Sequence, residues 1–107
     1  MSRDSFKDFM LDQLAEVDEI SCRAMFGGYG LYAGEAFFGI IHDGRVYFKT
    51  NEKTRKVYEK MGMSPFRPNN KMTLKNYYEV PAEVIEDPTE LLEWVEKAVR
   101  VEDPGVS

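Results

Sequence analysis

The sequence contains few of the residues that build disulfides, metal sites or membrane spans. It has one cysteine, Cys22, and one histidine, His42. An internal disulfide needs two cysteines and a structural zinc site needs about four Cys or His ligands, so neither can be assembled. The longest apolar runs, such as 37–41, are far shorter than the roughly 20 residues of a membrane helix. These absences predict a soluble, cytoplasmic protein without metal or cofactor.

The N-terminus also lacks the basic start, apolar run and cleavage site of a secretory signal, because charged residues recur throughout its first turns. We expect it to be a mature start. A chain of 107 residues, 43% of them hydrophobic, fits one domain with one core. We expect that domain to span 1–102, followed by a flexible C-terminal tail at 103–107.

Charge is distributed unevenly along the chain. The net charge is -5, but 49–75 holds 8 basic and 2 acidic side chains between two acidic ends. Lys53, Lys56 and Lys60 recur at helical spacing, and Arg67 and Lys71 follow them. Together with nearby aromatic residues they form the weak signal of a nucleic-acid-binding surface. The alternative is an ordinary solvated face on an acidic protein that repels phosphate overall.

Hydrophobic periodicity and turn residues predict an α+β fold, a two-layer sandwich with an antiparallel sheet of five or six strands and helices. The predicted elements are a helix at about 5–16, strands at 20–26, 29–32, 36–42 and 45–50, a helix at 52–61, an edge segment and turn at 64–70, a strand at 72–80 and a helix from 87 to about 101.

Several local patterns sharpen this prediction. Asp43-Gly44 predicts a two-residue hairpin turn, and Asp87-Pro88 followed by Glu90 predicts a helix start. Thr50 or Asn51 should cap the middle helix, with Val57, Tyr58 and Met61 facing inward. In the strand before it, Val46 and Phe48 should be buried, while Arg45, Tyr47 and Lys49 face water.

Catalytic chemistry is poorly supported by the residues. His42 precedes the Asp43-Gly44 turn, where an imidazole at the rim is more typical than a catalytic base. Residues 28–33 match the letters of a dinucleotide-binding loop, but β-prone residues follow where that loop needs a helix. We interpret these glycines as allowing strands to bend and pack closely, and expect the chain not to be an enzyme. A hydrolase that depends on His42 is the remote alternative.

Four blocks of sequence resemble the TfoX N-terminal domain family. Residues 23–32 read R-A-M-F-G-G-Y-G-L-Y and form what we name the signature block. Residues 43–49 read D-G-R-V-Y-F-K, residues 77–81 read Y-Y-E-V-P, and residues 87–94 read D-P-T-E-L-L-E-W. The blocks occur in the family's order and extend over nearly the whole chain, about 6–101.

The resemblance implies a compact antiparallel sheet with flanking helices, similar to the secretion-chaperone-like fold, and no enzymatic activity. Full-length TfoX or Sxy relatives are bacterial regulators of competence genes, thought to act with the cyclic-AMP receptor protein, and carry a second, C-terminal domain. We expect this chain to be a stand-alone version that binds a protein partner, either a transcription component or a second copy of itself.

The same resemblance nominates candidate binding residues, which are Arg23, Phe26, Gly27, Gly28, Tyr29 and Gly30 in the signature block and Tyr78, beside Pro81, in the third. The alternative is structural: the glycines set strand geometry, Met25 and Phe26 belong to the core, and Arg23 pairs with a carboxylate of the sheet.

Overall fold

In a computed structural model, which describes residues 5–25, 27–69 and 71–101, helices flank a single six-stranded sheet. The helices are α1 (Ser5–Gln13), α2 (Glu52–Lys60), α3 (Ala82–Ile85) and α4 (Pro88–Val99). The strands are β1 (Ile20–Met25), β2 (Gly28–Ala33), β3 (Ala36–His42), β4 (Arg45–Lys49), β5 (Pro65–Asn69) and β6 (Met72–Glu79). The predicted α+β two-layer sandwich is confirmed; the short α3 was not predicted.

The sheet is antiparallel throughout and has the strand order β1-β2-β3-β4-β6-β5. Strands β1 to β4 are sequential hairpins, and β6 then pairs with β4 and leaves β5 at the far edge. Asp43 and Gly44 both adopt positive φ, 52° and 73°, as a tight two-residue hairpin requires, so the predicted turn is confirmed. The edges of the sheet are therefore β1 and β5.

The main core lies between the sheet and the helices. Its fully buried side chains come from α1, the central strands and α4, and include Met10, Leu31, Phe38, Phe48 and Leu91. The rings of Phe38 and Phe48 meet edge-on, with centroids 5.5 Å apart. This core fixes the positions of the helices relative to the sheet.

Helices α2 and α4 begin where their capping residues predict. Asn51 accepts a hydrogen bond from the backbone N–H of Thr54, whose hydroxyl in turn accepts from the Asn51 N–H. Asp87 accepts from the backbone N–H groups of Thr89 and Glu90, and Pro88 occupies the first turn. Side chains thus satisfy helical N–H groups that have no partner within the helix.

The prediction that one face of β4 is exposed to water is correct for Arg45, which is exposed, but wrong for the other two residues of that face. Tyr47 and Lys49, expected to face water, are 9% and 8% exposed. Phe66 of β5 reaches past β6, and its ring centroid lies 4.6 Å from that of Tyr47. With Ile40 they form a second, smaller core on the sheet face opposite the main core.

The predicted inward stripe of α2 is also partly wrong. Tyr58 is buried, but Val57 and Met61 are 45% and 42% exposed. A helix of nine residues that meets the sheet along one side can bury only a narrow stripe, so its other apolar side chains remain on the surface.

Candidate functional site

The turn of the signature block is shaped by backbone packing. Gly27, which lies between β1 and β2, adopts φ +76° in open space. A Cβ on Gly28 would overlap the carbonyl oxygen of Ile41, so no larger side chain fits between β2 and β3 there. Phe26, also predicted to contribute, lies outside the described residues. The turn thus exposes backbone that side chains would otherwise cover.

The rest of the signature block lies along β1 and β2. Gly30 is buried, and a Cβ there would collide with Met25 and Phe37. Opposite it, Arg23 is exposed, and its guanidinium carbon lies 5.1 Å from the ring centroid of Tyr32. Tyr29 is half-buried on the core side, where the Lys7 ammonium lies 5.1 Å from its ring centroid. Contacts on both faces of the sheet therefore fix the conformation of the signature block.

A cleft of about 850 Å³ adjoins this turn. Its walls include Met25 at the end of β1, Gly27, Gly28 and, from the β3–β4 hairpin, His42 and Asp43. His42 is half-buried, and its ring lies edge-on to Phe66 with centroids 5.3 Å apart. No serine, threonine or cysteine is among the described residues that line the cleft, so these residues place no alcohol or thiol nucleophile beside the imidazole.

Tyr78 lies away from the turn. It is on β6, which β3 and β4 separate from β2, and it is buried in the main core. Its hydroxyl donates to the Glu59 carboxylate of α2 at 3.4 Å. Burial and the Glu59 charge raise the pKa of Tyr78. Pro81, from the same sequence block, is buried at the start of α3. The 77–81 block therefore connects the sheet to α2 through a hydrogen bond and to α3 through the chain itself.

The five basic residues of the predicted nucleic-acid surface belong to different elements. Lys53, Lys56 and Lys60 are exposed on α2, Arg67 lies on β5, and Lys71 lies in the turn between β5 and β6. Only Lys53 of this set lines one of the described concave surfaces.

That surface is a groove of about 370 Å³ between α2 and α4, here named the α2–α4 groove. Sequence reasoning missed it, because Lys97 lies far along the chain from Lys49 and Lys53 and only tertiary packing brings them to one groove. The side chains that characterise it are Lys49, Lys53, Val57, Tyr58, Trp94 and Lys97.

The described ranges contain neither a cluster of metal ligands nor a helix that could span a membrane. Within 5–25, 27–69 and 71–101, no three His, Cys, Asp or Glu side chains are grouped as metal ligands. No helix in those ranges is long and apolar enough to cross a membrane.

Comparison with known proteins gives two matches that agree with each other. The family model described as the TfoX N-terminal domain matches residues 12–101. The chain is also similar to a protein of Aliivibrio fischeri (strain ATCC 700601 / ES114) named DNA transformation protein TfoX1, with 33% identity over 79 residues. That match covers 72% of this chain and 38% of the relative, so the chain corresponds to well under half of the relative's length.

Proposed function

The chain belongs to the TfoX N-terminal domain family, and on that premise we propose that it is a non-enzymatic regulatory domain that binds a protein partner in the cytoplasm. The proposed partner is a component of transcription regulation. The proposal takes residues 1–102 as the folded unit that does the binding.

The observation that carries this proposal is the open edge strand β1. Among the described residues, β1 pairs with β2 on one side and with no strand on the other. Peptide N–H and C=O groups on the outer side of such a strand can bond an extended segment of another protein, which then adds to the sheet. Ser21, Arg23 and Ala24 are exposed along β1 and would contact that segment.

The opposite edge offers a much poorer template. Two of the five residues of β5, Pro65 and Pro68, have no N–H to donate. Proline is a common device for protecting a sheet edge from further pairing. The contrast between the two edges favours β1 as the docking strand.

The cleft at the signature turn lies where β1 ends. Ala24 and Met25 belong to β1 and also line the cleft with Gly27 and Gly28. A partner segment that runs along β1 would reach this cleft, where exposed glycine backbone offers further hydrogen-bonding groups. The signature block would then supply both a strand and an adjoining pocket.

The test places a photo-reactive benzoylphenylalanine at Ser21 and, in a separate protein, at Asn69 on the opposite edge. Extract from the source organism is irradiated with each, and cross-linked peptides are identified by mass spectrometry. We expect one partner to cross-link through position 21 and not through position 69. Ala24→Lys, which adds a charge to the β1 edge, should reduce capture of that partner at least about fivefold. The matched variant Asn69→Lys should capture it as well as the unmodified chain does.

Equal capture by Ala24→Lys and the unmodified chain would contradict docking at β1. Turnover of simple esters or phosphoesters that is lost in His42→Ala would contradict the non-enzymatic assignment. Capture that falls steeply as salt is raised, together with binding of bare DNA, would point to nucleic acid as the ligand.

A further inference from the structure

The α2–α4 groove presents apolar surface to water. Val57 is exposed on its α2 side, although a valine in a compact domain gains free energy from burial. Trp94 is half-buried on the α4 side, and its ring lies edge-on to the buried Tyr58 with centroids 4.8 Å apart. An apolar side chain from another molecule could cover both Val57 and Trp94.

The groove is also positively charged on an acidic molecule. Lys49, Lys53 and Lys97 line it, and no carboxylate is among the described residues that do so. Lys53 and Lys97 are both exposed and come from different helices. The charge complement of this groove is therefore an anion.

We propose that the α2–α4 groove binds a short acidic segment of a partner protein. Carboxylates of the segment pair with Lys53 and Lys97, and an apolar side chain between them contacts Val57 and Trp94. This surface lies between two helices, away from the β1 edge proposed above, so the two proposals can fail independently.

The surroundings of the groove favour a peptide over nucleic acid. Glu90 and Glu93 are exposed on α4, one helical turn before the groove residues Trp94 and Lys97. A nucleic acid carries phosphates along its whole length, so a strand that continued from the groove along α4 would meet these two carboxylates. A peptide can confine its negative charges to the groove.

The test uses a short, end-blocked peptide in which three Asp or Glu residues flank each side of a Leu-Leu pair. Trp94 is the only tryptophan of the chain, so its fluorescence reports occupancy of the groove directly. We expect a saturable change in that fluorescence, and an affinity that weakens as salt is raised. Isothermal titration calorimetry with the same peptide gives the dissociation constant.

Two double variants with the same change in charge separate the groove from the rest of the surface. Lys53→Glu with Lys97→Glu should weaken binding at least about tenfold, because the groove then repels carboxylates. Lys60→Glu with Lys71→Glu, outside the groove, should leave the affinity within about twofold. Because all four positions are exposed, both proteins should fold, and circular dichroism checks that they do. Val57→Ser should weaken binding without changing its salt dependence.

Three results would overturn the proposal. The first is equal binding of a peptide in which Asn and Gln replace the acidic residues. The second is tighter binding of oligothymidine than of the peptide, lost in the groove variant, which would assign the groove to nucleic acid. The third is a dimer of the unmodified chain, seen by light scattering, that dissociates in the groove variant; a second copy would then occupy the site.

Discussion

Of the described glycines, Gly28 leaves the least room for a side chain. A Cβ there would overlap the backbone carbonyl oxygen of Ile41, and backbone cannot move aside as a flexible side chain can. We expect Gly28→Ala to lower the free energy of unfolding by about 1–3 kcal/mol, the usual range for overpacking. Urea unfolding followed by circular dichroism measures this change.

Gly27→Ala is the matched control at the neighbouring position. Nothing lies within 4 Å of a Cβ at Gly27, so its cost comes only from the positive φ of 76°, about 1–2 kcal/mol. Gly27→Ala should also fold with the β2–β3 pairing intact, whereas Gly28→Ala should shift the amide resonances of Ile41 and His42. Equal spectra for the two variants would argue against the predicted clash.

Tyr58 links burial to alkaline stability. Burial raises its pKa above the ordinary value of 10.0. In the unfolded chain the hydroxyl ionises near pH 10, whereas in the folded chain it stays protonated to higher pH. The unfolded state therefore loses its proton first, so this contribution to stability is complete below about pH 10 and declines as the pH rises above it.

Tyr58→Phe removes this titrating group. The urea midpoint of the variant should therefore fall less between about pH 9 and about pH 11 than that of the unmodified chain. Urea unfolding at a series of pH values measures it. The decline should not vanish, because burial also raises the pKa of Tyr47 and Tyr78. An identical decline in both proteins would mean that Tyr58 ionises alike in the folded and unfolded chain.

At the scale of elements, β5 contributes more to the stability of the fold than its position at the edge of the sheet suggests. Phe66 is fully buried against Tyr47 and Ile40 in the second core. We expect Phe66→Ala to cost about 3–5 kcal/mol in the free energy of unfolding, as for other fully buried phenylalanines. Thermal unfolding measures the loss.

Met72→Ala provides the comparison within the same hairpin. Met72 pairs with Asn69 and is 47% exposed, so its truncation should change stability by less than about 0.5 kcal/mol. Similar costs for the two variants would contradict a second core centred on Phe66.

The elements that sequence predicts well are those with local causes. Asp43-Gly44 fixes a turn through backbone conformation, and Asp87 fixes a helix start through hydrogen bonds to the next residues. The sequence predicts a buried Val57 and an exposed Tyr47, and both predictions are wrong. Burial at these two positions depends on which distant element covers them. Periodicity shows that a strand has two faces but not that Phe66 will cover the second.

The candidate surfaces also differ in whether their residues are close together in the sequence. The signature block indicated Arg23 and the glycine turn, since its residues are contiguous in sequence, whereas the edge position of β1 follows only from the strand order. The α2–α4 groove joins Lys53 to Lys97 across several strands, and no spacing rule connects them. Trp94, the single tryptophan of the chain, lies among charged residues of the last predicted helix and is the sequence feature that could have indicated this groove.

At the scale of the whole molecule, the two cores share one sheet. Strands β3 and β4 contribute Phe38 and Phe48 to the main core, and Ile40 and Tyr47 to the second core. Neither core can be lost without disturbing strands that the other needs. We therefore expect one cooperative unfolding transition, in which far-ultraviolet circular dichroism and Trp94 fluorescence give the same urea midpoint. Two separate midpoints would show that the cores unfold independently.

The unequal edges of the sheet limit what can be assembled from it. A sheet with two receptive edges can polymerise, since each added strand leaves another edge free. Here Pro65 and Pro68 of β5 have no N–H to donate, so under the docking mode proposed above a molecule would accept a single strand, at β1. Docking of a partner would stop at one-to-one stoichiometry, and pairing between two copies would consume both receptive edges and yield a finite dimer in place of a fibre.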